Sequence, residues 1–290
     1  MACVGIDIGG SSVKAIRSEG LGTPAHARVA HDGSGVPALR DAIREAGDRI
    51  GARAVDRLGV CLPGMIDPRS GFVRRAANMP WLEGERPAGL VEQALGRGVQ
   101  TIATDAASWG VGVWEAERIS GRLLVLAMGT GIGGAFLING TPFTLDGFTP
   151  GHLGMIDVSL GETDPPRAGD GTPGVLEAYA GGRALLARLG EHADESAIAE
   201  LAGRMDENDP AIRALAKALR VFHAIYKPDA IRLCGGVGGA LAGALPTLDL
   251  LVRRDLTRVA QEEWTLGCVS DPFLAAEGVA TLAARTHASP

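Results

Sequence analysis

Residues 4–15 read Val-Gly-Ile-Asp-Ile-Gly-Gly-Ser-Ser-Val-Lys-Ala. Apolar residues alternate up to Asp7, two glycines follow, and the alternation resumes at Val13. That pattern predicts a β-hairpin with strands at 2–8 and 12–18 and its turn at Gly9-Gly10. The turn admits two readings. A plain hairpin uses glycine for the positive-φ positions of a tight turn. A phosphate-binding hairpin uses it because, without a Cβ, backbone N–H groups can converge on an anion. The second reading also gives the neighbours a task. Ser11 and Ser12 add hydroxyl donors, Lys14 adds a positive charge, and Asp7 offers a hard oxygen ligand to Mg²⁺.

The design recurs at 122–140, where an apolar strand runs into Ala-Met-Gly-Thr-Gly-Ile-Gly-Gly (127–134) and a second strand follows. Gly129, Thr130, Gly131 and Gly133 then match the first turn. No Gly-Lys-Ser/Thr follows and no helix opens there, so this is neither a Walker loop nor a dinucleotide fingerprint. Two such hairpins in one chain favour phosphate binding over two accidental turns. A third glycine turn, Leu-Cys-Gly-Gly-Val-Gly-Gly-Ala-Leu (233–241), ends a buried strand and opens a helix. Gly235 and Gly236 would there face a nucleotide's phosphate or ribose edge.

Between these turns the chain alternates strands and helices. Leu39, Ile43, Ala46 and Ile50 predict an amphipathic helix over 38–51. Residues 57–64 read as a strand ended by Pro63-Gly64, and 99–104 as another, followed by a helix from Asp105 to about Glu117. Residues 145–172 read as loops around a short strand at 154–158. From 173 onward the pattern is helical apart from a strand at 230–236, and a helix at 271–288 closes the chain with Asp271 as N-cap and Pro272 at its first position. Two strand–glycine–strand units, each leading an α/β half, imply two similar domains with a cleft between them.

Composition narrows the class. At 290 residues, 46% hydrophobic and 21% charged, the chain is globular. A net charge of −6 and the lack of any Lys/Arg run argue against a nucleic-acid partner. Cys3, Cys61, Cys234 and Cys268 stand far apart without a CxxC, as reduced thiols in a cytoplasmic protein would. The longest apolar run, Val125 to Ile138, is broken by glycines and too short for a bilayer, so no membrane is expected.

In order, the hairpin at 4–15, Cys-Leu-Pro-Gly-Met-Ile-Asp (61–67), Asn-Met-Pro-Trp (78–81), Thr-Asp-Ala-Ala (104–107), the hairpin at 127–140 and Pro-Asp-Ala-Ile-Arg-Leu-Cys-Gly-Gly-Val-Gly-Gly-Ala (228–240) resemble the ROK family of sugar kinases and repressors. The resemblance covers essentially the whole chain. It implies a two-domain α/β fold of the actin-like, ribonuclease-H-like kind, with a domain at 1–107, a second at 108–272, and the helix from 273 packing back on the first. It implies ATP and Mg²⁺ as cofactors, a sugar or sugar-like acceptor phosphorylated on its primary hydroxyl, and, from family habit, a homodimer. The family's repressors carry an extra DNA-binding domain before the first hairpin, and this chain opens on that hairpin, which reads as kinase.

By the same resemblance Asp105 is the catalytic base, accepting the proton of the attacking hydroxyl. The plainer reading makes it a helix N-cap. Asn78 matches the family's sugar-binding asparagine, with a turn-capping role as the alternative. Pro63 and Gly64 would bring backbone close to the sugar, beside Thr104. Glu177, in a match to the family's zinc signature, would be a further hydroxyl-binding carboxylate or a plain first-turn Glu.

The departures are informative. The signature's His and three Cys ligands are all missing, so no zinc is expected. In Pro-Gly-His-Leu-Gly-Met-Ile-Asp-Val (150–158), His152 stands for the family's sugar-binding Glu and Met155 for its His. A carboxylate only accepts hydrogen bonds, whereas imidazole also donates. The acceptor expected is therefore a hexose altered away from the transferred phosphate, such as the aminosugar kanosamine or a carbocyclic analogue. Ordinary glucokinase activity, or a non-catalytic sugar or nucleotide sensor on the same scaffold, are the competing readings.

Overall fold

The computed structural model describes residues 2–20, 22–53, 56–150, 152–190, 193–258, 260 and 263–286. The chain opens with β1 (Cys3–Ile8), β2 (Ser12–Ser18), β3 (Ala25–Ala30), α1 (Val36–Arg49) and β4 (Arg57–Leu62). A two-stranded ribbon, β5 (Met65–Ile66) and β6 (Val73–Arg75), precedes α2 (Pro87–Leu95), β7 (Thr101–Thr104) and α3 (Asp105–Glu117). Next come β8 (Arg122–Met128), β9 (Ile132–Ile138), β10 (Thr141–Pro142), α4 (Leu176–Ala180), α5 (Gly182–Leu189), α6 (Glu195–Ala202) and α7 (Pro210–Tyr226). The chain closes with β11 (Ala230–Cys234), α8 (Gly235–Ala240), α9 (Leu245–Arg254), β12 (Thr265–Cys268) and α10 (Leu274–Arg285).

These elements form two compact units. Unit 1 comprises Met1–Arg118, Thr144–Thr149 and Phe273–Pro290; unit 2 comprises Ile119–Phe143 and Pro150–Pro272. The division falls after α3 and not at 107, because α3 packs on α10 as one continuous helix of unit 1. Each unit has a five-stranded mixed sheet. The orders are β3-β2-β1-β4-β7 and β10-β9-β8-β11-β12. In both, the first strand is central, pairs antiparallel with the next, and is parallel to the two strands on its other side. The repeated strand–glycine–strand sequence thus produces the same topology twice.

Period-2 alternation on β1 sorts unit 1 into layers. Val4, Ile6 and Ile8 share a core with Leu39, Ile43 and Ala46 of α1 and Leu90 and Val91 of α2. Gly5 faces the other way, against α10. A Cβ there would overlap the Ala276 carbonyl oxygen, and one on Gly278 of α10 would overlap the Ser108 carbonyl of α3. Helix α10 therefore approaches both strand and helix at backbone distance. In unit 2, Leu124, Leu126 and Met128 of β8 share a core with Leu215, Leu219 and Phe222 of α7. The stretch Gly235–Arg254 is long and apolar enough, by length and composition, to cross a membrane. Here it consists of α8, a 3₁₀ turn and α9, with Val237, Leu241, Leu248 and Val252 in the core of unit 2.

Two expectations are corrected. Residues 154–158 form no strand: Leu153–Met155 is a 3₁₀ turn, and Asp157 makes a single bridge to Val175. Leu153 is buried beneath the β8–β9 hairpin, which holds the chain in that turn. The last helix starts at Leu274 after Phe273, not at Pro272, and Phe273 stacks on His26 with ring centroids 4.5 Å apart. The end expected for it, 287–288, lies outside the described residues. The strands β3 and β12 and the helix α2 were not anticipated.

The close approach of α10 generates a paired test. Gly278→Ala gains about 1 kcal/mol of helix propensity but overpacks backbone against backbone, a cost of up to about 3 kcal/mol. It should lower the unfolding free energy by roughly 1–2 kcal/mol in urea titrations. On Gly89 of α2 a Cβ would meet nothing nearer than the Arg86 Cβ at 3.9 Å. Gly89→Ala should raise stability by about 0.4–1 kcal/mol.

Candidate active site

The parallel strands of unit 1 carry their polar residues at the carboxyl ends. On β1, Asp7 pairs across the ladder with Lys14 of β2 on one side and Cys61 of β4 on the other. Asp7 is only 4% exposed, yet charged partners reach it: Lys14 Nζ lies 3.2 Å from its Oδ2. The Cys61 thiol points at its Oδ1 from 3.6 Å. Burial first, then the Asp7 charge, pushes that thiol well above its ordinary value, so Cys61 is a neutral donor and not a nucleophile.

One strand further, β7 ends at Thr104, beside Leu62 of β4. Thr104 is the N-cap of α3, its Oγ1 accepting the Ala107 N–H at 3.2 Å. Asp105 is thereby the first helical residue and not the cap. Its Oδ1 accepts the Ala106 N–H at 2.8 Å, leaving the other oxygen without a protein donor among the described hydrogen bonds. Burial, and then the Asp7 carboxylate, raise Asp105 to about 6; the Ala106 amide and Lys14 only partly oppose them. A carboxylate held near neutrality is a proton acceptor matched to physiological pH.

The β1–β2 turn leaves part of its backbone unused. Gly9 N–H donates to Ser12 O at 2.9 Å, closing the turn, while the exposed Gly10 and Ser11 have no intramolecular partner for their amides. Ser12 differs from the phosphate role expected of it. It is buried, with its hydroxyl accepting from Arg28 Nε at 3.3 Å. Asn78 is exposed on the loop before a 3₁₀ turn at Pro80–Leu82 and makes no hydrogen bond within the described chain. Pro63 is partly buried, and Gly64 has φ +119° with its Cα packed on the Arg75–Ala76 backbone, so that glycine is fixed by packing.

In unit 2 the β8–β9 turn is anchored from behind. Gly129 N–H donates to Gly131 O at 3.0 Å. The Gly129 and Thr130 carbonyls accept from the first amides of α5, Gly182 N at 2.9 Å and Arg183 N at 3.1 Å. Glu177 lies against Gly131 and takes the Ile132 N–H on its Oε2 at 2.7 Å. One of its oxygens thus serves the hairpin. Gly133 is a ladder residue opposite Ala127, past the turn. Gly235, at φ +86°, packs against the end of β8, and Gly236 is exposed on the first turn of α8.

Beside this turn is a cavity of about 530 Å³, with Gly129, Thr130, Gly182 and Arg183 among its lining and Leu186, Ala187, Ile198 and Val237 as apolar walls. Its size and mixed lining suit a nucleoside. Helices α5 and α6 and Val237 of α8 form its walls, and Gly235 and Gly236, expected at a nucleotide's edge, open the same helix as Val237. His152 is exposed at the start of the Leu153–Met155 turn, and its carbonyl accepts the Met155 N–H at 3.0 Å. Among the described residues no group of three or more His, Cys, Asp or Glu is placed to hold a metal ion.

The model of the ROK family matches residues 3–283. An N-acetyl-D-glucosamine kinase of Escherichia coli O139:H28 (strain E24377A / ETEC) is 28% identical over 273 residues, spanning 86% of this chain and 88% of that protein. Among solved structures, the ROK hexokinase from Thermus thermophilus superposes with a TM-score of 0.75 at 26% identity over 97% of each chain. A ROK family glucokinase from Streptomyces griseus in complex with glucose and AMPPNP gives 0.77 at 23% identity, over 98% of this chain and 100% of that one. The fold is the actin-like α/β fold of these structures.

The raised Asp105 has a stability consequence whose sign is fixed. A carboxyl that ionises at about 6 when folded and near 3.8 when unfolded is bound more tightly in its protonated form by the native state. Stability is therefore lost as pH rises from near 3.8 to about 6 and stays lower above that. Asp105→Asn keeps the acceptor for the Ala106 amide and removes the buried charge. It should stabilise the protein by about 1–3 kcal/mol at pH 7.5 and much less at pH 4, read by thermal or urea unfolding at both pH values.

Proposed function

The chain belongs to the ROK family, and on that premise we propose that it is an ATP-dependent kinase that phosphorylates the primary hydroxyl of a hexose-like acceptor. The observation that carries this reading is Asp105: a cleanly positioned first-turn carboxylate raised to about 6 by burial and by Asp7. It accepts the proton as the hydroxyl oxygen attacks the γ-phosphorus of ATP. The Gly10 and Ser11 amides and Lys14 of the β1–β2 hairpin offer donors suited to phosphate oxygens, as do Thr130 and Gly131 of the β8–β9 turn. The cavity lined by Leu186, Ala187, Ile198 and Val237 takes the adenosine.

Asp7 fits Mg²⁺ by the chemistry of its donors. It is a hard, buried carboxylate at a strand end, and the described residues around it form no closed cage. Mg²⁺ is usually held in that way, by one or two carboxylates with water and phosphate oxygens completing the shell. When bound it would neutralise charge on the transferring phosphoryl group. Lys14 orients Asp7 through one carboxylate oxygen, and the Cys61 thiol donates to the other.

The acceptor in this reading is a hexose altered away from the reacting hydroxyl. The support is chemical. His152 presents an exposed imidazole where family kinases place a carboxylate, and Met155 replaces a polar partner. A pocket short of acceptors leaves some glucose hydroxyls unpaired, which selects against glucose. Asn78, exposed and without intramolecular bonds, supplies both a donor and an acceptor to the sugar.

ADP release from Mg-ATP, measured against glucose, N-acetylglucosamine, kanosamine and carbocyclic hexoses, tests the proposal. One altered hexose should exceed glucose in kcat/KM by roughly tenfold or more, about 1.4 kcal/mol of discrimination. His152→Glu should narrow that gap by improving glucose. Asp105→Asn should lower kcat by about 10²–10⁴-fold. The kcat/KM profile should fall about tenfold per pH unit below pH 6, where the base is protonated. No ADP release with any acceptor would overturn the kinase reading; glucose as the best acceptor would overturn only the specificity.

A further inference from the structure

We propose that His31 is the positioning residue of the β1–β2 phosphate hairpin, holding the Gly9–Gly10 peptide so that the Gly10 N–H is presented to phosphate. The proposal deepens the kinase reading and rests on it for the identity of the anion.

His31 directly follows β3, whose last ladder pair is Ala30 with Ser12. The ladder continues one step onto the turn, His31 N–H donating to Ser11 O at 3.0 Å. The side chain then reaches across. His31 Nε2 lies 2.9 Å from Gly9 O, and Gly33 N–H donates to His31 Nδ1 at 3.2 Å. A carbonyl oxygen can only accept and an amide N–H can only donate, so these partners fix the tautomer. The ring is neutral, with its proton on Nε2 and its lone pair on Nδ1.

The consequence for the turn follows from peptide geometry. In a trans peptide the C=O and the N–H of the next residue point in opposite directions. Directing the Gly9 carbonyl at His31 therefore directs the Gly10 N–H away from it, on the side where the protein offers no partner. A Cβ built on Gly10 meets no atom within 4 Å, whereas one on Gly9 would come within 3.1 Å of Ser12 O. Packing thus touches this peptide from the Gly9 side, and the imidazole supplies the hydrogen bond to its carbonyl.

The ring is itself braced. Trp81 meets it edge-on, with centroids 6.5 Å apart and planes at 88°. Trp81 sits in the 3₁₀ turn three residues after Asn78, so the imidazole ties the hairpin to the segment carrying the proposed sugar-binding asparagine. Unit 2 solves the same problem without a side chain. There the first two amides of α5 take the Gly129 and Thr130 carbonyls, which turns the Thr130 and Gly131 N–H groups outward. Among the described residues no helix N-terminus donates to the β1–β2 turn, and His31 fills that place.

The test separates positioning from structural support and from failure of the kinase reading. Calorimetric titration with the Mg²⁺ complex of AMPPNP, and separately with adenosine, would be run on wild type, His31→Phe and His31→Gln. Phe keeps an aromatic ring for Trp81 and lacks the donor; Gln restores an N–H at about the reach of Nε2. His31→Phe should weaken AMPPNP roughly 3–10-fold, the worth of one neutral hydrogen bond, and leave adenosine within twofold. Gln should recover most of the loss. In kinetics on an accepted hexose, the KM for ATP should rise in His31→Phe with the acceptor KM unchanged. Independently of any variant, ¹⁵N shifts of the wild-type imidazole should report the Nε2–H tautomer. Equal loss for adenosine and AMPPNP, no loss in Phe, no rescue by Gln, or an Nδ1–H tautomer would each overturn the proposal. Wild type that binds AMPPNP with the expected His31 dependence yet phosphorylates no hexose would overturn the kinase reading alone.

Discussion

Unit 1 depends on one packing constraint, the backbone-distance approach of α10 to β1 and α3. Gly5 and Gly278 are where it is enforced, because any side chain at either would enter a carbonyl oxygen of the partner element. The chain leaves unit 1 after Arg118, returns to it at Thr144–Thr149, and returns again at Phe273 to supply this helix. What the approach fixes is the relative level of β1, β4 and α3, and those three elements bear Asp7, Cys61 and Asp105. A helix held off by side chains would allow the strand ends to shift by the thickness of a methyl group. Burial first and the Asp7 charge second set the proton affinity of Asp105, and both depend on that spacing, because charge interactions vary inversely with separation and strengthen as water is excluded.

The electrostatics of this cluster run against stability and toward chemistry. Two carboxylates share a largely buried region with a single lysine. Lys14 pairs with Asp7, while burial and then the Asp7 charge raise Asp105 to about 6. That shift is not legible residue by residue. It arises from register: Lys14 stands directly across from Asp7 on the ladder, while Asp105 lies beyond the end of β7, held by its own helix amide. A protein optimised only for folding would neutralise Asp105; keeping it ionisable is the expected signature of a group selected for proton transfer.

Much of this was readable before any coordinates, and the reasons for success and failure differ. The two hairpins announce themselves because a period-2 apolar pattern is interrupted by glycine, and both β1–β2 and β8–β9 fall where that pattern puts them. The strand β3 escapes because its inward side chains are only Ala27 and Val29, too small to stand out against exposed Ala25, His26, Arg28 and Ala30. Helix α2 carries Pro87 and Gly89, which mimic a loop, and β12 has four residues. Asp105 was expected at the end of a strand and the start of a helix, and it does follow β7 and open α3. The caps were not legible: Thr104 takes the N-cap role that the sequence equally allowed Asp105, and only the hydrogen bond to Ala107 decides it. A glycine pair before a helix signals close backbone approach without saying what approaches; at Gly235 a Cβ would meet the backbone at the end of β8.

The same strand–glycine–strand device, used twice, shows what a phosphate hairpin requires beyond glycine. Glycine makes the turn possible and leaves its peptides free to rotate, which is a liability when a particular N–H must face outward. Each hairpin answers by binding the carbonyls on the opposite side. In β8–β9 the donors are the first amides of α5, groups that a helix leaves unsatisfied in any case. In β1–β2 the structure has no helix start to borrow, and the donors come from His31, one from its backbone and one from its ring. The glycines are therefore only half of the motif. The other half is a donor behind the turn, and for β1–β2 it is encoded at His31, just past the end of β3, which a search for glycine patterns passes over.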